Sequence, residues 1–270
     1  MVLISPCHAD AVWNGELLDL DAYLDRVAFT PDPAADRATT LRALHRAHLA
    51  AISFENADVR DGVPIALDVP SLQDKIVARR RGGYCFEQNL LFAAVLDRLG
   101  HEVTGLAGRV LLGRSGDLPR THAMLRVDRR WLVDVGFGGG GLLEPLPLVA
   151  GEVVRQGDWS FRLDHADGVW TLRSWQASEW FPLYDFTEDP RTPADYAILN
   201  YYMSTNPKSA FVGRLLVQRT DERARHQLAD LDLTEARPDG SVVKRSLTTE
   251  ERAAVLRDVF GLELPVTARG

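Results

Sequence analysis

A cysteine stands directly after two glycines in the segment 81–89, which reads RGGYCFEQN. The apolar residues after Cys85 recur at helix spacing: Leu91, Ala94, Val95 and Leu99. Gly100 stands where a C-terminal cap would lie, so the pattern predicts a helix that begins at or near Cys85. Such a start directs unpaired N–H groups and a positive dipole end at the sulfur, which favours the thiolate. The position alone is equally compatible with a small buried residue that performs no chemistry.

His122 and Asp134 lie in two predicted strands, 121–127 and 131–135, which a short polar connection joins as a hairpin. If the loop is odd in length and centred on Asp128, position 122 faces position 134, and directly opposed Cβ atoms lie about 4.5–5.5 Å apart. An even loop would place Val135 opposite His122 and would require a bulge to restore the pair. A carboxylate in an otherwise apolar strand is costly unless it is paired.

Cysteine, histidine and aspartate are the side chains that nucleophilic acyl chemistry requires. An imidazole accepts the thiol proton, a carboxylate orients the imidazole and stabilises its cation, and the thiolate attacks a carbonyl carbon. Cys85, His122 and Asp134 therefore form a candidate catalytic triad. We expect Arg81 and Glu87, on either side of the cysteine, to be structural and to form an ion pair that fixes the loop around Cys85.

The sequence around each of these residues resembles the arylamine N-acetyltransferases. The resemblance is carried by segment 81–89, by Thr121-His122, by segment 133–138 (VDVGFG), and by the upstream element Phe54-Glu55-Asn56. In element order it extends from about residue 19 to near the C-terminus, and the specific motifs lie between 54 and 139. Gln88 departs from the pattern, since many members have histidine there.

The resemblance implies a two-step acetyl transfer. Acetyl-CoA would acylate Cys85, CoA would leave, and an aromatic amine, hydrazine or N-hydroxyarylamine would attack the thioester, with His122 moving the protons. It further implies an acceptor pocket, whose candidate residues are Phe54, Val110, Phe137 and Phe211. The candidate contacts of CoA are Thr121, Gly138 and Gly139, because bare glycine backbone lets a cofactor lie against the main chain. Competing interpretations are a macrolactam-forming amide synthase of the same family, a hydrolase with the same dyad, and a non-catalytic binding protein.

The predicted fold class is α+β. Helix periodicity dominates the first third, and short β-branched or aromatic segments in the middle third indicate an antiparallel barrel or sandwich. The resemblance implies a helical bundle over 1–99, a β-barrel over 100–203 and an α/β lid over 204–270, with a papain-like core. Ser71 to Asp74 resembles a capping box at a helix start, and 227–234 is predicted to be one strand.

Composition narrows the classes further. The chain has 270 residues and a net charge of −7, which argues against a general nucleic-acid binder. No apolar run approaches the roughly 20 residues of a membrane span, and residues 1–10 lack a signal-peptide pattern. His45 and His48 share a helix face without a third ligand, so no metal site is predicted. We expect a cytoplasmic monomer or homodimer in which Cys7, the only other cysteine, is a bystander.

Overall fold

The computed structural model describes residues 12–114 and 116–264. The helices of this part are α1 (Leu20–Arg26), α2 (Arg37–Ala51), α3 (Ala57–Arg60), α4 (Val69–Leu72), α5 (Cys85–Arg98), α6 (Pro193–Thr205) and α7 (Thr249–Asp258), with a 3-10 turn at Gly15–Leu17 and a π-helical turn at Gln73–Ala78. The strands are β1 (Phe54–Glu55), β2 (Val103–Val110), β3 (His122–Val127), β4 (Trp131–Val133), β5 (Leu146–Pro147), β6 (Val153–Gln156), β7 (Trp159–Ala166), β8 (Val169–Gln176), β9 (Glu179–Phe186), β10 (Leu216–Thr220), β11 (Arg225–Ala229), β12 (Asp232–Ala236) and β13 (Val242–Ser246). The predicted α+β class is confirmed. Cys7 lies outside the described residues.

Helix α5 forms the centre of the first half, and every residue from 85 to 96 is buried. A helix that is apolar on nearly all faces belongs in a core, and this one packs between the N-terminal helices and strand β3. It ends as the sequence predicts. Gly100 adopts a φ of 79°, and the N–H of His101 donates to the Leu96 carbonyl over 2.9 Å, which closes the last turn.

The middle of the chain folds into an eight-stranded antiparallel sheet in the order β5-β4-β3-β2-β9-β8-β7-β6, which forms a nearly closed barrel. Alternate residues of its strands point into a second core built around Trp159, Phe161 and Tyr184. Strand β3 is central to the molecule, because it pairs with β2 and β4 and also packs against α5. The barrel thus presents one of its strands directly to the helix that carries the cysteine.

The last part of the chain forms a five-stranded sheet in the order β1-β10-β11-β12-β13, with α7 packed on it. The edge strand β1 comes from the first third of the sequence, since Phe54 of β1 pairs with Gln218 of β10. The single strand predicted over 227–234 is wrong: the chain turns at Asp230, whose φ is 54°, and forms the hairpin of β11 and β12. The predicted domain limits of 1–99, 100–203 and 204–270 stay predictions.

The capping box predicted at Ser71 is also wrong, because the helix begins earlier. Asp68 is the N-cap of α4, and its carboxylate accepts a hydrogen bond of 3.0 Å from the Ser71 N–H. Pro70 fits the first turn, where a missing N–H costs nothing.

Across the described residues, no helix combines the length and the apolar character that crossing a membrane requires.

Candidate active site

Cys85 is the first residue of α5, and its side chain is buried. The turn before it is fixed by Glu87, whose carboxylate accepts a hydrogen bond of 3.1 Å from the N–H of Tyr84, the N-cap residue. The N–H groups of the first turn have no partner within the helix, so the sulfur lies at the positive end of the helix dipole. The structure thus places the candidate nucleophile where the sequence predicts it.

His122 and Asp134 form a buried pair. Nε2 of His122 donates to Oδ2 of Asp134 over 2.7 Å, which leaves Nδ1 as the ring nitrogen available to Cys85. The predicted pairing of positions 122 and 134 is wrong in register: residues whose numbers sum to 258 are opposed, as in Leu125 and Val133. The odd loop length is nevertheless correct, so the two side chains share a face of the sheet and meet diagonally.

Asp134 is held by donors on both of its oxygens. Besides the imidazole on Oδ2, Oδ1 accepts hydrogen bonds from Nδ2 of Asn89 over 3.1 Å and from the N–H of Gly136 over 3.0 Å. Asn89 lies one helical turn after Cys85, and it also bonds the Ala123 carbonyl and the Val135 N–H. One buried amide therefore connects α5 to the strands that carry His122 and Asp134.

The electrostatics of this pair favour a charged imidazole. Burial disfavours the cation, but the charge of Asp134 and its hydrogen bond outweigh burial, and Cys85 adds to them, so the pKa of His122 is raised to about 10. Burial likewise opposes ionisation of Asp134, yet His122, Asn89 and Gly136 hold its pKa below the ordinary value. The arrangement stores a proton on the imidazole next to the sulfur.

Two aromatic rings flank the imidazole. The rings of Phe137 and Tyr184 each lie 5.1 Å from that of His122, within the range at which an aromatic face attracts a cation. Tyr184 is fully buried on β9, and burial together with the charge of Asp134 raises its pKa well above the ordinary value. These rings exclude water from the pair and strengthen its electrostatic interaction.

Two glycines permit the close approach of these elements. A Cβ on Gly136 would lie 2.8 Å from Cα of Cys85 and 2.6 Å from Nδ2 of Asn89, so the strand end can contact the helix start only without a side chain. Gly82 meets the backbone of Ser53 in the same way. Both positions are fixed by packing, not by a need for flexibility.

A buried charge cluster supports the loop before Cys85. Arg81 donates to Glu55 over 3.0 Å and to Asp58 over 2.9 Å, while Lys75 donates to Glu87 over 2.7 Å. The predicted ion pair between Arg81 and Glu87 is therefore wrong, because each residue pairs with another partner. Desolvation of these charges is offset only because every one of them is paired.

The triad opens into a cavity of about 220 Å³. The residues of the sequence prediction that line it are Phe54, Cys85, Val110, Thr121, His122, Phe137, Gly139 and Phe211. Leu112, Arg114, Met203, Ala210, Leu216 and Gln218 complete the wall. A mostly aromatic and aliphatic wall with the sulfur and the imidazole at one side suits a planar apolar substrate.

Gly138 lies outside this cavity wall. It packs against Gln218 and Phe54, with a φ of 79°, while the N–H of Gly139 donates to Oε1 of Gln218 over 3.0 Å. Gln218 of the lid strand β10 thus holds the glycine segment in place.

The described residues contain no group of three or more histidine, cysteine, aspartate or glutamate side chains that could hold a metal ion.

Sequence reasoning assigned no role to Asn89, Tyr184 and Gln218. Asn89 carries a signal, since it lies four residues after Cys85 and so on the same helix face. Tyr184 and Gln218 carry none, because strand pairings that local patterns do not reveal bring them to the site: Tyr184 is paired with Val110 and Gln218 with Phe54.

The arrangement of a cysteine at a helix start beside a histidine and an aspartate of the β-barrel, on a papain-like core, fits the class of acyltransferases that use a cysteine. The N-acetyltransferase family model matches residues 38–269. The chain is 39% identical to an arylamine N-acetyltransferase of Mycolicibacterium smegmatis, over 92% of this chain and 93% of that protein. It is 36% identical to an arylamine N-acetyltransferase of Escherichia coli, over 90% of this chain and 88% of that protein.

Solved structures agree with these sequence matches. An arylamine N-acetyltransferase of Nocardia farcinica superposes with a TM-score of 0.88 at 44% identity, covering 94% of this chain and 92% of that chain. The enzyme of Mycobacterium marinum in complex with CoA superposes with a TM-score of 0.84 at 37% identity, covering 90% of this chain and 92% of that chain. The chain belongs to the arylamine N-acetyltransferase family.

Proposed function

We propose that this protein transfers an acetyl group from acetyl-CoA to an arylamine, hydrazine or N-hydroxyarylamine through a thioester on Cys85. The observation that carries the proposal is the 2.7 Å contact of His122 with Asp134 beside Cys85, at the wall of an aromatic cavity. Relatives named arylamine N-acetyltransferase, and a CoA complex among the similar structures, support the choice of donor and acceptor.

In the first half-reaction the thiolate of Cys85 attacks the thioester carbonyl of acetyl-CoA. The tetrahedral intermediate collapses as the C–S bond to CoA breaks, and the imidazolium of His122 gives its proton to the departing CoA sulfur. Asp134 stays ionised and holds the ring through Nε2, so that Nδ1 carries the proton in transit. General acid–base help of this kind contributes about 10²–10⁴-fold.

In the second half-reaction the amine nitrogen attacks the acetyl carbonyl on Cys85, and the C–S bond to the enzyme breaks. Acetylation has removed the charge of Cys85, which is one of the influences that raise the pKa of His122, so this pKa falls in the acetyl-enzyme. His122 gave its proton to the CoA sulfur in the first half-reaction, so a neutral imidazole is available to take the amine proton. The same residue thereby serves as acid in one step and as base in the next.

The acceptor pocket is assigned to Phe54, Val110, Phe137 and Phe211, and the contacts of CoA to Thr121 and to the Gly138–Gly139 backbone. Aromatic walls stack on a planar amine, and the lack of an acidic side chain among the described wall residues fits a neutral nucleophile. The amide synthase alternative is not favoured, since the relatives are arylamine N-acetyltransferases. The reducing cytoplasm keeps a reactive thiol in its reduced form, which fits a cytoplasmic enzyme. The oligomeric state, monomer or homodimer, stays a prediction.

The test is acetylation in the absence of an amine. Incubation with acetyl-CoA alone should add one acetyl group to the peptide that contains Cys85, and later addition of an arylamine should remove it with formation of the amide. Cys85→Ser should remain unlabelled. Label on another residue, or no label on the folded wild-type protein, would refute the proposal.

A further inference from the structure

Asn56 is a buried amide whose three hydrogen bonds all reach one distant segment. Its Nδ2 donates to the carbonyls of Phe211 over 2.8 Å and of Arg214 over 2.9 Å. Its Oδ1 accepts from the N–H of Leu216 over 2.7 Å. Asn56 is 1% exposed, so each of these contacts replaces hydration that the amide has lost.

The segment 211–216 forms part of the acceptor cavity. Phe211 and Leu216 line the cavity, and the ring of Phe211 lies 5.8 Å from that of Phe54 and 5.7 Å from that of Tyr84. Residues 211–215 lie between α6 and β10 and include Gly213, whose φ is 76°, while Leu216 is the first residue of β10. Because residues 211–215 lie outside the strand, hydrogen bonds from side chains help to fix their main chain.

The other side-chain hydrogen bonds to this connection, within the part of the chain that the structure describes, come from nearby residues or from the lid. Ser209 accepts from the Phe211 N–H over 3.2 Å, and Asp230 accepts from the Leu215 N–H over 2.8 Å. Asn56 differs from both, because it follows directly on β1, next to the cysteine loop. It therefore fixes the cavity wall relative to the nucleophile and not merely relative to the lid.

The two preceding residues connect the same short strand to the site. Phe54 lines the cavity. The Glu55 carboxylate accepts a hydrogen bond from Arg81, which lies four residues before Cys85. The N–H of Glu55 donates to the Gly83 carbonyl over 3.0 Å. Three consecutive residues thus hold the wall, the cysteine loop and the lid segment in one arrangement. Glu55 and Asn56 of the Phe54-Glu55-Asn56 element take no part in the acetyl-transfer steps. Their hydrogen bonds to the cysteine loop and to the lid segment account for these two polar residues.

We propose that Asn56 is a positioning residue that sets acceptor selectivity by fixing the Phe211 wall of the cavity. The inference rests on the proposed function, because it concerns the second half-reaction. Only an amide fits this position: it needs two donors for two carbonyls and one acceptor for an N–H. A carboxylate of the same shape would keep the acceptor and turn two attractive contacts into repulsive ones.

The experiment measures the two half-reactions separately in Asn56→Asp and Asn56→Ala. Acetylation of Cys85 by acetyl-CoA is followed by the CoA released in the first turnover, and deacetylation is followed with amines of increasing ring size. We expect the acetylation rate to change less than the deacetylation rate, because the three hydrogen bonds of the Asn56 amide reach segment 211–216, which carries the Phe211 wall. We expect KM for the acceptors to rise about tenfold or more and the ranking of small and large amines to change.

Two further variants separate positioning from a general loss of stability. Phe211→Leu alters the wall and keeps the main-chain partners of Asn56, so it should reproduce the changed ranking. Leu233→Ala, in a lid strand away from the cavity, should lower stability without changing the ranking. In Asn56→Ala, hydrogen exchange of the Leu216 N–H should also become faster, because its acceptor is gone.

The inference is overturned if the Asn56 variants slow both half-reactions equally, or if the ranking of amines is unchanged in folded protein. If the Asn56 variants do not fold, an unchanged ranking in Phe211→Leu overturns it. A wild-type protein that acquires no acetyl group on Cys85 would instead refute the proposed function, so the two failures are distinguishable.

Discussion

The Asn89 amide donates to Oδ1 of Asp134 over 3.1 Å, and it does so from the helix that begins with Cys85. The carboxylate is therefore tied to the element that carries the nucleophile and not only to its own strand. The Asn89 amide thus joins helix α5 to the strand end after β4, next to the hydrogen bond between His122 and Asp134. We predict that Asn89 is a positioning residue, which acts on His122 through Asp134.

Replacement of Asn89 by alanine should reduce activity through this link. The variant removes a donor from Asp134 and leaves the Ala123 carbonyl and the Val135 N–H without their partner. We expect a stability loss of about 1–3 kcal/mol and a fall in kcat of about tenfold or more. Chemical unfolding and first-turnover kinetics check the two effects. A folded Asn89→Ala protein with wild-type kcat would show that the tie to α5 is dispensable.

The raised pKa of His122 predicts how stability depends on pH. The folded pKa of about 10 lies above the ordinary value of 6.5, so the contribution to stability is fully present below about pH 6.5 and is lost as the pH rises through 10. Between pH 7 and 9, Cys85→Ala should lose free energy of unfolding relative to Cys85→Ala/His122→Gln, with a slope of at most about 1.4 kcal/mol per pH unit. The thiol is removed from both proteins because a proton that passes from Cys85 to His122 leaves the number of bound protons unchanged.

The comparison of Cys85→Ala with Cys85→Ala/His122→Gln isolates the imidazole. Burial lowers the pKa of Arg225 to about 9 and that of Arg26 to about 10, so these residues titrate near the upper end of the window in both proteins. Urea unfolding at several pH values gives the difference directly. A difference that stays constant from pH 7 to 9 would mean that the imidazole is not held protonated by Asp134.

Local patterns determine much of this molecule, and long-range pairing determines the remainder. The helix that starts at Cys85 follows from apolar spacing and a terminal glycine, and the strand that ends near Asp134 follows from alternation. The predicted hairpin register is wrong because Asp128 and Arg129 both adopt positive φ, at 49° and 59°, and the turn is centred on Arg129. Neither aspartate nor arginine indicates a positive φ in the sequence as glycine would.

The roles of Asn56 and Gln218 could not follow from local pattern at all. Each acts across more than 75 residues of sequence, through the pairing of β1 with β10, and strand β1 is only two residues long. A strand that short has no periodicity to detect. A sequence motif indicates the position of Asn56, but only the three-dimensional structure shows which groups its amide binds.

Gly136→Ala should disrupt the site by steric conflict. The added Cβ would lie 2.8 Å from Cα of Cys85 and 3.0 Å from its carbonyl oxygen, and backbone atoms cannot yield as a flexible side chain can. We expect a loss of about 1–3 kcal/mol in the free energy of unfolding. Gly139→Ala is the matched control for stability, since its Cβ would meet only the end of Gln218 at 3.1 Å or more. Equal stability of the two variants would contradict the packing argument.

Arg114 predicts a preference among acceptors. Among the described residues that line the cavity, it and His122 are the cationic side chains. Its guanidinium donates to the carbonyls of Val110 and Leu111 at 3.3 Å, and within the described ranges 12–114 and 116–264 no ion pair with a carboxylate is formed by this side chain. An arylamine with a carboxylate substituent should therefore bind better than its methyl ester, and Arg114→Gln should remove the difference. An exposed charge pair of this kind is worth about 0.2–1 kcal/mol, a factor of about 1.4 to 5 in KM.

The measurement compares KM for 4-aminobenzoate and for its methyl ester in wild type and in Arg114→Gln. Because the two half-reactions share one cavity, KM for acetyl-CoA is measured as well, since its phosphates could meet the same guanidinium. A rise in KM for 4-aminobenzoate alone places the acceptor carboxylate at Arg114. A rise for acetyl-CoA alone assigns the cation to the donor and contradicts the predicted preference, and equal KM values for acid and ester in wild type contradict it directly.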